Sequence, residues 1–171
     1  MIVIVMGVSG SGKTTAALAL QKLTGWQFAE GDDFHSEVNK QKMHSGIPLT
    51  DEDRAPWLAT LHKLIRGWHE RGENGILTCS ALKTAYRDML VADLPSVAYR
   101  FVLMEAPKEL IAERMQARAS HHFMPPVLLD SQLATLQPPA DALHVSALQS
   151  PEAAARQVLD ALGILPAAQT N

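Results

Sequence analysis

Apolar and polar positions fall along the chain in blocks that predict strands and helices in turn. The first block, Ile2-Val3-Ile4-Val5-Met6, is an unbroken apolar run, as expected of a strand buried on both faces of a sheet. Thr15 to Leu23, rich in alanine and leucine, predicts a helix stopped by Gly25. Trp26 to Ala29 predicts a short second strand that runs into the polar loop Glu30-Gly31-Asp32-Asp33-Phe34-His35. Ser36 to Ser45 predicts a helix with few apolar positions, broken by Gly46 to Thr50. A longer helix then starts at Thr50, which can cap it, with Asp53 three residues on. Trp57, Leu58, Leu61, Leu64, Ile65 and Trp68 recur at three- and four-residue spacing and give that helix one apolar face.

The same alternation continues to the end. Ile76 to Cys79 is a third buried strand, Lys83 to Leu90 a helix, and Tyr99 to Met104 a fourth strand. Pro107 opens a helix reaching about Arg118, in the early position that proline favours. Val127 to Leu136 predicts a short helix and Leu143 to Val145 a fifth strand. Ser150 caps a last helix through Leu162, with Pro151 in its first turn. Strand and helix in regular succession imply an α/β fold of three layers, a five-stranded parallel sheet with helices on both faces. Residues 1–165 read as a single domain and 166–171 as a loose tail.

One junction carries chemistry. Between the first strand and first helix stands Gly7-Val8-Ser9-Gly10-Ser11-Gly12-Lys13-Thr14, the G-x-x-x-x-G-K-[ST] loop in its proper strand-to-helix setting. Glycines let the backbone turn tightly and bring its N–H groups to phosphate oxygens, which the helix N-terminus also attracts. Lys13 supplies a cation for the β- and γ-phosphates, and the Thr14 hydroxyl is a ligand for Mg²⁺. The loop, with Thr15, therefore predicts a nucleoside triphosphate site.

Charge and composition narrow the partners. The formal charge of −3 argues against a surface that coats nucleic acid, so anionic ligands are expected to be held by locally placed cations. Such cations are available: Arg54 near the start of the long helix, where it can face the same loop edge as Asp32, and Lys83 and Arg87 four apart after the third strand. Arg114 and Arg118 are likewise four apart. Cys79 is the sole cysteine, so no intrachain disulfide can form, and a reducing cytoplasm is expected. No stretch is long enough for a membrane span. His121-His122 lack the spacing of a structural zinc site; with Phe123, they are read instead as part of a lid at about 119–126.

Among P-loop classes, a GTPase needs an N/T-K-x-D element, and Asn39-Lys40-Gln41-Lys42 lacks its acid. Ile76–Cys79 does not end in the acid of a Walker B ATPase. In contrast, GVSGSGKT at 7–14, GDDFH at 31–35 and N-x-x-KM-x-x-GIPLTDEDRAPWL from Asn39 to Leu58 follow a known order. CSALKTAYRDML at 79–90, HFMP at 122–125 and L-x-SQ at 129–132 continue it. Together they resemble the bacterial-type gluconate kinases, in the group of P-loop kinases that also contains the nucleoside monophosphate kinases.

That resemblance implies phosphorylation of D-gluconate at its terminal hydroxyl by ATP with Mg²⁺, in a cytoplasmic homodimer. It implies an ATP site of Gly7, Ser9, Gly10, Ser11, Gly12, Lys13, Thr14, Thr15, Arg114 and Arg118. It places Asp32, His35, Arg54, Trp57, Lys83, Arg87 and His122 around gluconate, with Lys13, Asp32 and Arg118 in catalytic roles. Which of Arg54, Lys83 and Arg87 meets the carboxylate stays open. Two departures stand out: Glu30 where the family usually has Asp, and Ser36 where it usually has Pro. The competing readings are a kinase for another polyol acid such as shikimate, a nucleoside monophosphate kinase, and a nucleotide-dependent regulatory module.

Overall fold

The structure, a computed structural model, describes residues 1–117 and 128–165. Five strands form one parallel sheet: β1 (Ile2–Met6), β2 (Gln27–Glu30), β3 (Gly75–Thr78), β4 (Tyr99–Glu105) and β5 (Leu143–Ser146), in the spatial order β2-β3-β1-β4-β5. Seven helices are described: α1 (Lys13–Thr24), α2 (Glu37–His44), α3 (Asp51–Glu70), α4 (Thr84–Val91), α5 (Lys108–Ala117), α6 (Leu129–Thr135) and α7 (Pro151–Leu162).

β1 is central and every one of its residues is buried, which is why it reads as an uninterrupted apolar run. Its alternate residues serve two cores. Ile2, Ile4 and Met6 pack with Trp57, Leu61, Ile65 and Leu90 from α3 and α4, and Val3 and Val5 pack with Ala17, Leu20, Ala155 and Val158 from α1 and α7. The sheet is thus the middle of three layers. A third, smaller cluster of Val8, Leu82, Ile111, Met115 and Leu129 lies under the phosphate loop and ties it to α5 and α6.

Element starts follow local chemistry. α1 begins at Lys13, two residues earlier than expected, because left-handed Gly12 caps it directly. At α3, Thr50 Oγ1 accepts from the Asp53 N–H while Asp53 accepts from the Thr50 N–H, a complete capping box. Ser36, expected inside α2, instead caps it, its hydroxyl accepting from the Asn39 N–H. The loop after β2 is more ordered than its polarity suggests: Gly31–Phe34 forms a 3₁₀ turn. The expected lid, with Arg118 and His122, and the expected tail lie outside the described residues. Among those described, no helix is long and apolar enough to cross a membrane.

Candidate active site

All five strands run in the same direction, so the loops leaving their carboxyl ends gather on one edge, where α/β folds bind ligands. The phosphate loop is packed tightly there. A side chain at Gly10 (φ +80°) would place its Cβ 3.0 Å from Met115 Cγ and 3.1 Å from Ile111, so only glycine suits both the turn and the packing on α5. Lys13 is buried, and its Nζ reaches back across the loop to donate to the Val8 carbonyl at 3.0 Å. Ser11 Oγ is buried without a hydrogen-bond partner. A buried cation and an unpaired hydroxyl are among the donors expected of a phosphate cradle.

Beside the loop lies a corner that Thr14 forms with two strands. Thr14 Oγ1 donates to Glu30 Oε2 at 2.6 Å, and Thr78 donates to the other Glu30 oxygen. Glu30 and Thr78 are register partners at the ends of β2 and β3. A hydroxyl whose lone pair faces a cation can still donate its hydrogen bond elsewhere, and Glu30 accepts that bond from Thr14. β3 therefore needs no acid at its own end: the carboxylate comes from the neighbouring strand. This fits a Mg²⁺ ion, which prefers one or two protein oxygens beside substrate phosphates and water. The pairing of Glu30 with Thr14 and Thr78 could not be read from the sequence, because strand order is not visible in a linear chain.

On the other side of the loop, Lys13, Asp32, His35, Arg54 and Ser80 line a cavity with Ser9, Met43, Pro48, Leu49 and Leu82. α6 closes one wall with Ser131, Gln132 and Thr135. His35 lies flat against Trp57, ring centroids 4.1 Å apart, and burial first, then the Arg54 and Lys40 charges, lower its pKa to about 4. It is thus neutral near pH 7. The Arg54 guanidinium sits 5.5 Å from the Tyr86 ring centre, with Nε buried and unpartnered.

The remaining candidates sort by position. Trp57 is 2% exposed; it does not line this cavity but stands behind His35 and donates its Nε1–H to the Gly31 carbonyl at 2.7 Å. Lys83 lies outside too, bound to Asp51 at 2.7 and 3.0 Å, while Tyr86 donates to the same carboxylate. Arg87 is buried and spends its guanidinium on the Ala81 and Leu82 carbonyls and the Thr84 hydroxyl, at 2.9–3.4 Å. It braces a loop in which Ala81 adopts φ +44°, a conformation unfavourable for a side-chain-bearing residue. Of the three cations considered for the acceptor's carboxylate, Arg54 is the one the fold brings to the cavity. Arg114 faces a separate cleft with Gly12 and Thr15, donating to the Ala147 carbonyl at 3.1 Å.

Ser80, Ser131, Gln132 and Thr135 were not anticipated as site residues. The L-x-SQ match pointed at two of them, but without a role. Gln132 Oε1 accepts from the Ser9 N–H at 2.7 Å, which fastens α6 to the phosphate loop. Cys79 is 1% exposed and its thiol is pushed up to about 12, chiefly by burial, so it is an inert core residue as expected.

Known proteins share both the sequence and this architecture. An AAA domain family model matches residues 2–139. The gluconokinase of Gluconobacter oxydans is 45% identical over 91% of this chain and 88% of its own length. The chain belongs to the gluconokinase family. Solved structures superpose closely: a gluconokinase from Sinorhizobium meliloti 1021 has a TM-score of 0.79 at 40% identity, covering 94% of this chain and 90% of that one. An unliganded sugar kinase from Janibacter sp. HTCC2649 has a TM-score of 0.86 at 46% identity, covering 99% and 98%.

Proposed function

We propose that this gluconokinase-family chain transfers the γ-phosphoryl group of ATP to the terminal hydroxyl of D-gluconate, giving 6-phosphogluconate and ADP. The observation that carries the acceptor half is the cavity itself. It sets one guanidinium, Arg54, and one carboxylate, Asp32, beside the buried Lys13 of the phosphate loop. A sugar acid has the complementary pattern: a carboxylate at one end, for which guanidinium offers a bidentate partner, and a hydroxyl to be phosphorylated at the other.

In this reading Asp32 orients the terminal hydroxyl and takes its proton as the oxygen–phosphorus bond forms, while ADP leaves. Lys13 and the loop amides hold the phosphates, Arg54 holds the carboxylate, and neutral His35 bonds a further hydroxyl. Thr14 and Glu30 hold Mg²⁺, which offsets charge on the phosphate oxygens when bound. Arg114 is assigned to the nucleotide side, where its cleft adjoins Gly12 and Thr15. Arg118 and His122, outside the described residues, are assigned to the phosphates and the acceptor through the family resemblance, and a lid at about 119–126 is assigned to exclude water as rival acceptor. A cytoplasmic homodimer, binding neither nucleic acid nor membrane, belongs to the same reading.

An ADP-release assay across gluconate, shikimate, other sugar acids and nucleoside monophosphates tests it. Release is expected with gluconate in clear preference to the rest. Equal rates with shikimate would move the assignment to another acid, and release indifferent to every acceptor would leave a regulatory module.

A further inference from the structure

We propose that Thr78 is a positioning residue for phosphoryl transfer, setting the metal corner and the Asp32 turn together through its single hydroxyl. Thr78 is 0% exposed at the end of β3, among Ile76 and Leu77, which are equally buried. A hydroxyl there is costly unless paired, and this one is paired twice. It donates to Glu30 and accepts from the Gly31 N–H at 3.2 Å. Both partners sit at the functional edge, one on each side of the β2 terminus.

The two bonds have different consequences. At Glu30 each carboxylate oxygen holds one hydroxyl, Thr14 on one side and Thr78 on the other, which fixes the plane of the carboxylate. Glutamate has one more rotatable bond than an aspartate would, so its orientation depends more on such a tether. At Gly31 the backbone is held on either side of Cα, its N–H by Thr78 and its carbonyl by Trp57 Nε1. A Cβ on Gly31 would lie 2.2 Å from the Thr78 carbonyl oxygen, so β2 and β3 approach as closely as a bare backbone permits. Asp32 is the next residue along that clamped peptide, and Trp57 in turn backs His35. A continuous set of contacts thus runs from the phosphate-loop hydroxyl to the wall of the acceptor cavity, with Thr78 at its centre.

The inference rests on the reading that Glu30 serves the metal corner, and the test separates the two. Thr78→Val keeps the shape and removes the hydroxyl, Thr78→Ser keeps the hydroxyl, and Glu30→Gln removes the charge. Three quantities are measured: steady-state kinetics, the Mg²⁺ concentration for half-maximal rate, and the extra melting-temperature rise that Mg²⁺ adds to ADP alone. For Thr78→Val we expect kcat down and half-saturating Mg²⁺ up, each about tenfold, as for loss of one hydrogen bond to a charged group. The Mg²⁺-dependent melting rise should shrink, while the gluconate KM stays within about twofold, since Arg54 is untouched. Thr78→Ser should restore all three. If Thr78→Val does not fold, Thr78→Cys, a poor donor, is compared with Thr78→Ser in its place and should show the same losses. A lower melting temperature with wild-type kcat and Mg²⁺ dependence would make Thr78 a packing residue and overturn the proposal. If Glu30→Gln alters the Mg²⁺ dependence and the Thr78 variants do not, this inference falls alone; if Glu30→Gln alters nothing, the metal-corner reading falls first.

Discussion

His35 illustrates how burial sets the chemistry of a residue. Pressed against Trp57 and facing the Arg54 charge, it is far easier to keep neutral than to protonate. The folded pKa of about 4 lies below the unfolded value of 6.5, so between them the unfolded chain binds the extra proton. Stability tied to His35 is therefore present above pH 6.5 and lost as pH falls toward 4. Between pH 7 and pH 5 the loss should be about 2 kcal/mol, measured by urea unfolding, and His35→Gln should remove that part of the slope. Asp32→Asn should lower kcat about 10²-fold or more while ATP-analogue binding persists; near-normal turnover would remove Asp32 from the chemistry. Arg54→Ala should raise the gluconate KM by about tenfold or more with the ATP KM unchanged. Lys83→Ala should leave the gluconate KM within about twofold, because its partner is the exposed Asp51, and such surface pairs contribute little.

The elements carry these residues to one edge, and their ends are where substitutions should be felt. The Thr50 capping box fixes the start of α3, one turn before Arg54. Thr50→Ala should cost about 1 kcal/mol in thermal or chemical unfolding. Gly31→Ala tests the approach of β2 to β3 from the backbone side. The added methyl meets a carbonyl oxygen rather than a flexible side chain, so the strand end must shift. A destabilisation of about 1–3 kcal/mol is expected, and kcat should fall further than stability alone explains, because Asp32 moves with the peptide. Unimpaired turnover in Gly31→Ala would show that the turn tolerates displacement.

At the scale of the whole molecule, the cleft proposed for the nucleotide and the cavity proposed for the acceptor have different linings, so the effects of the two ligands on stability should be separable. A non-hydrolysable ATP analogue with Mg²⁺ at about 100 times its Kd should add about 2.7 kcal/mol, or roughly 5–10 °C in melting temperature. Gluconate should add a further rise that Arg54→Ala abolishes. The sequence by itself determined much of this frame. The apolar run of β1, the glycine spacing of residues 7–12 and the one-sided pattern of α3 are local signals, because strand burial, tight turns and helix faces each follow from neighbours in the chain. The pairing of Glu30 with Thr14 and Thr78, the wall that α6 adds, and the choice of Arg54 over Lys83 and Arg87 were not legible. The three cations look alike along the chain, each near the start of a helix. Only folding gives Lys83 to Asp51, spends Arg87 on two carbonyls and a hydroxyl, and leaves Arg54 at the cavity. The Lys83 and Thr78 pairings join residues 32 and 48 positions apart, and the contacts of Arg87, although local, depend on the loop conformation that the fold imposes. Local pattern therefore fixed which elements form and where the phosphate loop stands, and tertiary packing decided which polar groups line the cavity beside it.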